Sequence, residues 1–256
     1  MPYCQGIEKP VTYVPKFDAE RRRAWFIENK YVPLLDYLRK PETLCLSYQA
    51  GHFKDLFEAL STSDGVRIYF AAYSDEGNAN VPPGYGNLIT LVYAPVTAVA
   101  HVDTYVDSGT FYILNPGVPH TSIPRSLASE WVSNYQSIKL PILTAVSGVH
   151  PSDTKSLLFT KKQVESVIIE IGCQMATGVR IYLSSYTDDE PPSVDPDFRG
   201  RLMVQFVLTE PANGSQRDFY IDERPGFSTR PDPGVPALDT GSPCPPAQCA
   251  GSTLPS

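Results

Sequence analysis

Two stretches of the chain repeat one apolar pattern. Phe53, Leu56, Phe57 and Leu60 fall at i, i+3, i+4 and i+7, as do Val164, Val167, Ile168 and Ile171, and each set predicts a helix with one buried face. Behind each helix the period changes to two. Val66, Ile68 and Phe70 alternate with Arg67, Tyr69, Ala71 and Tyr73, and Val179, Ile181 and Leu183 alternate with Arg180, Tyr182, Ser184 and Tyr186. Both strands open on the pentapeptide Gly-Val-Arg-Ile-Tyr, at Gly65 and at Gly178, 178 − 65 = 113 positions apart. The aliphatic side should cover the helices, while the Arg and Tyr side looks elsewhere.

The likeness extends both ways from the pentapeptide. Upstream lie a Trp-bearing helix (Trp25, Trp131), a proline (Pro33, Pro141) and a short strand, Leu44–Tyr48 or Ser156–Phe159. Downstream, Gly86–Tyr93 answers Gly200–Val207 and Phe111–Ile113 answers Phe219–Ile221. A period of roughly 105 to 113 residues is far above that of solenoid repeats and matches a domain. The pattern therefore predicts an α+β protein made by tandem duplication of a helix-strand-helix-three-strand unit, with mixed or antiparallel sheets and helices on one face. The expected division is an N-terminal arm (1–16), a first repeat domain (17–117), a linker (118–124), a second repeat domain (125–226) and a proline-rich tail (227–256). Asp18 is the expected N-cap of the first helix, whose face reads Ala24, Ile27, Tyr31, Leu34 and Leu38, and Pro33 should kink or divide it. Thr160-Lys-Lys-Gln163 is a capping box for the helix through Val164.

Composition narrows the class. Of 256 residues 42% are hydrophobic, yet no run of about 18 apolar residues is present to span a membrane. The first ten residues lack the charged-then-apolar order of a secretory signal, which points to the cytoplasm. A net charge of −7 argues against a nucleic-acid partner, and Arg21-Arg22-Arg23 reads as the solvent side of the first helix. Cys45 and Cys173, in or beside apolar runs, read as buried thiols that pack as small hydrophobes.

Candidate chemistry concentrates on the repeated strands. Arg67 with Tyr69 and Tyr73, and Arg180 with Tyr182 and Tyr186, place a planar cation among phenol rings, which suits a carboxylate, a phosphate or an aromatic group. The same arrangement also serves to brace a sheet, or to pack the two faces on each other. Asp75 and Asp188 sit alike in the following loops as cation ligands, catalytic carboxylates or plain turn formers. In the tail, Cys244, Pro245, Pro246 and Cys249 form a stiff segment suited to docking, without the ligand spacing of a metal site. No catalytic or cofactor-binding motif stands in the chain.

The Trp-bearing helix, the Gly-[Val/Ile]-Arg-Ile-Tyr strand and the closing Cys-Pro-Pro segment resemble those of a family of bacterial proteins that carry the unit singly. The resemblance spans both halves and the tail through short motifs only. It implies no activity and transfers no functional residue. The expected role is a non-catalytic interaction or scaffold protein with two related surfaces, binding a protein partner or itself. The alternative is an enzyme or small-ligand sensor with its site between the repeats.

Overall fold

A computed structural model describes residues 13–60, 62–78, 80–100, 104–147, 152–191, 194–213 and 215–220, with 237–238, 242–244 and 254 from the C-terminal stretch. In chain order these form β1 (Tyr13–Val14), α1 (Lys16–Phe26), α2 (Val32–Leu38), β2 (Cys45–Gln49), α3 (Ala50–Leu60), β3 (Gly65–Ala72) and β4 (Ile89–Ala98). Next come β5 (Tyr105–Asp107), β6 (Phe111–Ile113), β7 (Thr121–Ile123), α4 (Arg125–Asn134) and α5 (Leu140–Ser147). The order closes with β8 (Ser156–Thr160), α6 (Lys161–Cys173), β9 (Gly178–Ser185), β10 (Leu202–Ala212), β11 (Ser215–Phe219), β12 (Ala237–Leu238) and β13 (Ser242–Cys244).

The protein is α+β, and its strand pairings are antiparallel. One sheet runs β13-β8-β3-β4-β6-β7 with β5 also on β4; the other runs β1-β12-β10-β9-β2 with β11 also on β10. Apart from β13, the two orders correspond strand for strand. β3 and β9, the pentapeptide strands, are each flanked by the long strand that follows them in sequence, β4 or β10. On their other side each takes a strand from the opposite part of the chain: β8 lies on β3, and β2 lies on β9. At the far edge β7, which leads into α4, occupies the place that β1, leading into α1, holds in the other sheet. Every sheet is thus built from both halves of the sequence.

The helices cover both faces of each sheet, not one. Inside, Val66, Ile68 and Phe70 of β3 and Val179, Ile181 and Leu183 of β9 share one continuous core with α3 and α6. Outside, Ala128, Trp131 and Val132 of α4 pack with Tyr69 and Ala71 of β3 and with Tyr73 just beyond it. The Arg and Tyr side is itself buried, so it requires a second layer of helix. α1 supplies that layer over β9, where Ala19 packs with Val207 and Tyr220. The two Arg and Tyr faces point away from each other and never meet.

The first helix falls into two α-helical segments as Pro33 implies, with the proline in the first turn of the second. A five-residue π-helical stretch, Ile27–Tyr31, joins α1 directly to α2, and Tyr135–Lys139 joins α4 to α5 in the same way. The widened turn stands immediately ahead of Pro33 or Pro141, where a regular turn would meet the ring and lack a donor. The first helix also begins earlier than the sequence suggests, with Pro15 rather than Asp18 as its N-cap, matching Pro124 before α4. Its buried residues are Ala19, Arg22, Phe26, Lys30 and Leu34, whereas Ile27 is exposed. Two cations hide that face from a hydrophobicity reading.

Those cations are paired across the halves. Lys30 binds Asp153, and Lys139 binds Glu42, with all four side chains buried. Each carboxylate also accepts from its own next residue and from the first residue of the long strand beside it. Asp153 takes the N–H of Thr154 and of Leu202, each at 2.7 Å; Glu42 takes the N–H of Thr43 at 2.8 Å and of Ile89 at 2.6 Å. Burial pulls the Lys139 ammonium below its ordinary pKa against the opposing pull of Glu42. A buried charge is tolerable only with such partners.

The described pieces of the C-terminal stretch meet both sheets. The sequence argues against a central strand there, yet β12 is interior, between β1 and β10. Its two residues are free of proline. β13 closes the β8 edge, and Leu254 is buried in the outer cluster with Tyr69 and Trp131.

Candidate functional site

The signature strands each hold an Arg–Asp–Tyr triad. In the first, the Arg67 guanidinium donates to Asp107 Oδ1 at 2.8 Å and to the Tyr105 carbonyl at 2.9 Å, and the Tyr69 hydroxyl donates to Asp107 Oδ2. In the second, Arg180 donates to Asp218 Oδ1, to the Tyr182 hydroxyl at 3.2 Å and to the Gln216 carbonyl at 3.2 Å. The Tyr182 hydroxyl in turn donates to Asp218 Oδ2 at 2.6 Å. Alternation explains the Arg and Tyr, which stand two apart on one strand face. The aspartate comes from the short strand two places away, β5 or β11.

Surroundings separate the two triads. Arg67 is 1% exposed and shares its strand face with Tyr69 of the outer cluster. The side chains of Arg180 and Asp218 keep 19% and 17% of their surface open to solvent. Where α4 has the apolar Val132, α1 has Arg23, which donates to Asp218 Oδ2 at 3.3 Å and to the Tyr220 hydroxyl at 2.5 Å. Its guanidinium lies 4.2 Å from the Tyr182 ring centroid. Two guanidinium groups thus share one aspartate, and Glu20 lies 3.9 Å from Arg23. Burial and the Asp218 carboxylate push the Tyr182 phenol up to about 12; burial also raises Tyr220 to about 12 against the pull of Arg23. Burial opposes charge on Arg180, but Tyr182 and Asp218 outweigh it and hold the group charged.

The arginine run is therefore not a solvent face. Arg22 forks onto Glu190, with Nε to Oε1 and Nη2 to Oε2 both at 2.7 Å, and lies over the Tyr186 ring at 4.9 Å. Arg21 pairs with Asp189 at 2.8 Å. Glu190 also accepts from the Thr187 N–H at 3.0 Å, and these donors together overcome burial to hold its carboxyl below the ordinary range. In the other sheet the same place is filled by Trp131, 4.9 Å edge-on to Tyr73, with its Nε1 donating to Ser74 Oγ at 2.7 Å. Trp25 has no such place, so the two tryptophans are not counterparts.

Of the remaining candidates, Tyr73 is buried and donates to Asn115 Oδ1 at 2.6 Å. Tyr186 is buried under Arg22. Asp75 and Asp188 are exposed in the turns beyond β3 and β9, outside the triads, and Asp75 accepts from Asn87. Cys244 pairs in register with Ser156, while Pro245, Pro246 and Cys249 lie outside the described residues. Cys45 is a free thiol, half-buried beside the second triad, where burial raises its pKa against the pull of Arg180. Cys173 is not a thiol: it is disulfide-bonded.

Next to the second triad is a strand edge, β2, that no described strand covers. Leu183 N–H donates to the Leu44 carbonyl and Ala50 N–H to the Thr177 carbonyl, both at 3.0 Å. The even-numbered residues therefore bond to β9, and Cys45, Ser47 and Gln49 turn their backbone groups outward. Among the described residues no further strand pairs there, whereas β13 closes the matching edge of β8. Ser47 Oγ accepts from Arg180 Nε at 3.2 Å, which ties edge and triad together.

Among the described residues no helix is long and apolar enough to cross a membrane, and no group of three or more His, Cys, Asp or Glu side chains is placed to hold a metal ion. No family model, curated protein or solved structure matches the chain.

Proposed function

We propose that the protein is a non-catalytic interaction protein that binds a protein partner by strand addition to β2. The observation that carries this reading is the inequality of two corresponding edges: β8 is closed by β13, and β2 has no strand beyond it among the described residues. An open edge is a row of unpaired donors and acceptors, and extended peptides bind such rows. Edges that must stay bare usually carry a lysine, a proline or a bulge, and Leu44-Cys-Leu-Ser-Tyr-Gln49 has none of these.

The strand-for-strand correspondence supports an origin by tandem duplication, followed by divergence of one outer face toward packing and the other toward binding. The two related surfaces of a duplicated scaffold are then unequal, with that of the second sheet the active one. The Cys173 disulfide favours an oxidising compartment over the cytoplasm to which the N-terminal sequence points. An enzyme or sensor using Arg67 and Arg180 together is disfavoured, because the two arginines lie on faces turned away from each other.

The test is capture on the immobilised full chain beside its Ser47→Pro variant. Proline at this position removes an outward N–H and leaves the β2–β9 ladder intact. A stoichiometric partner held by the parent and lost by a variant of unchanged melting temperature supports the reading. Identical retention by both, or none by either, overturns it.

A further inference from the structure

We infer that the occupant of the β2 edge is an extended, proline-centred segment of a partner protein that runs antiparallel to β2, with its proline opposite Leu46. The inference rests on the strand-addition reading and adds the register and the chemistry of the added strand.

Its basis is the strand that closes the corresponding edge. Gly65 pairs with Thr160 and Gly178 with Gln49, so Ser156, Leu157 and Leu158 of β8 stand where Cys45, Leu46 and Ser47 of β2 stand. β13 covers those three residues: Ser242 lies opposite Leu158, Pro243 opposite Leu157 and Cys244 opposite Ser156. One step on from the Tyr69–Ser156 pair, the Phe70 N–H donates to the Lys155 carbonyl at 3.1 Å. The odd-numbered residues of β8 therefore bond to β3, and Ser156 and Leu158 turn their backbone groups to β13. Pro243 falls at the one place of the three where the added strand needs no N–H toward its neighbour.

The same alternation holds on β2, where Leu46 bonds to β9 while Cys45 and Ser47 turn outward. A strand added there needs N–H groups opposite Cys45 and Ser47 and admits a proline between them. That proline limits the entropy lost on binding and offers no donor to a further strand. The residue opposite Leu46 shares the core-facing side of Leu46 and Tyr48, and its two neighbours share the side of Cys45 and Ser47, so the segment should read apolar-polar-Pro-polar-apolar. A second copy of the chain offers β13 itself, but that strand already lies on its own β8.

The probe is a fluorescently labelled peptide, acetyl-Thr-Val-Ser-Pro-Ser-Val-Thr-amide, followed by fluorescence anisotropy on the full chain beside two relatives in which Ser-Pro-Ser becomes Pro-Pro-Ser or Ser-Ala-Ser. With adjacent prolines one of the two must stand opposite an outward-facing residue and forfeit its hydrogen bond, so the Pro-Pro-Ser peptide should bind at least about tenfold more weakly. The Ser-Pro-Ser peptide should match or exceed Ser-Ala-Ser, and Ser47→Pro should abolish binding at unchanged melting temperature. Equal affinity for Ser-Pro-Ser and Pro-Pro-Ser, or a clear preference for Ser-Ala-Ser, would overturn the proline-centred register and leave strand addition standing. Binding of none of the three, or binding that survives in Ser47→Pro, would overturn both. A doubled mass in sedimentation that reverts to a single chain in Ser47→Pro would assign the edge to a second copy and overturn this partner.

Discussion

Asp107 and Asp218 hold one register position in two sheets. Asp107 pairs with Val96, which lies opposite Gly65; Asp218 pairs with Thr209, which lies opposite Gly178. Each is then within hydrogen-bonding reach of the Arg and the Tyr two and four residues beyond that glycine. The same three side chains therefore serve as a brace where they are buried and as part of a charged surface where they are open.

That difference predicts unequal costs for one substitution. Arg67→Ala takes a charged donor away from the buried carboxylate of Asp107, and should lower the unfolding free energy by on the order of 3 kcal/mol. Arg180→Ala leaves Asp218 partly hydrated and still bonded to Tyr182 and Arg23, so the loss should stay near ~1 kcal/mol. Urea unfolding of both variants measures the contrast. Equal losses would mean that the second triad is as structural as the first.

The glycine that opens each pentapeptide should be as sensitive as the arginine. A methyl at Gly65 would press into the carbonyl oxygen of Phe159 on the neighbouring strand, and one at Gly178 would lie against Thr209 Oγ1 and 2.9 Å from the Tyr48 carbonyl oxygen. At Gly65 the nearest obstacle is backbone, whereas at Gly178 the nearest is a threonine side chain that can turn aside and the backbone oxygen of Tyr48 is less close, at 2.9 Å. Gly65→Ala should therefore cost about 2 kcal/mol or more, and Gly178→Ala less. Melting temperatures of the two variants check the order.

Much of the fold is legible in the sequence, because the inner core is written in apolar residues at regular periods. The faces of α3, α6, β3 and β9 follow directly from them. The outer layer is less legible, since Arg22 and Lys30 occupy buried helical positions that Trp131 of α4 and Lys139 of the π-helical stretch after it hold in the other half. A cation in a helix reads as solvent-facing unless its acid is known, and here Glu190 and Asp153 are 168 and 123 residues away. The triad aspartates escape for another reason. Matching Phe111–Ile113 to Phe219–Ile221 sets Asp218 beside Thr110, whereas the ladders show that β5 and β6 are separated by three residues at the point where β11 runs straight on. The exchange of β2 and β8 between sheets leaves no local trace, because an antiparallel strand reads the same whichever sheet accepts it.

The exchanged strands are fastened by the buried lysines, so these pairs should be critical to stability. Asp153→Ala strands the Lys30 ammonium and removes acceptors for Thr154 and Leu202, and Lys139→Met strands the Glu42 carboxylate. Each single change should cost about 3–5 kcal/mol, the usual penalty for half of a buried pair. Lys139→Met combined with Glu42→Gln removes both charges, and should recover part of that loss. Denaturant unfolding of the single and double variants gives the coupling directly; strict additivity would show that the pair does not act as a unit.

Acid should loosen the docking of α1 before it reaches the rest of the fold. The Glu190 carboxyl is held below its ordinary pKa by Arg22 and the Thr187 N–H, so folding favours its ionised form. The stabilisation it gives is complete above the ordinary glutamate value near ~4.5 and is lost as pH falls from there through the depressed value. Protonated Glu190 can no longer accept both arms of Arg22, which then loses the Glu190 charge while buried beside Tyr186. Hydrogen exchange across Lys16–Phe26, followed between pH 6 and 3 with correction for the intrinsic rate, should therefore show protection falling in this helix ahead of Arg125–Asn134, where Trp131 fills the corresponding place. Glu190→Gln should remove most of that difference. A parent protein in which both helices lose protection together would show that the Arg22–Glu190 fork does not govern how α1 is held.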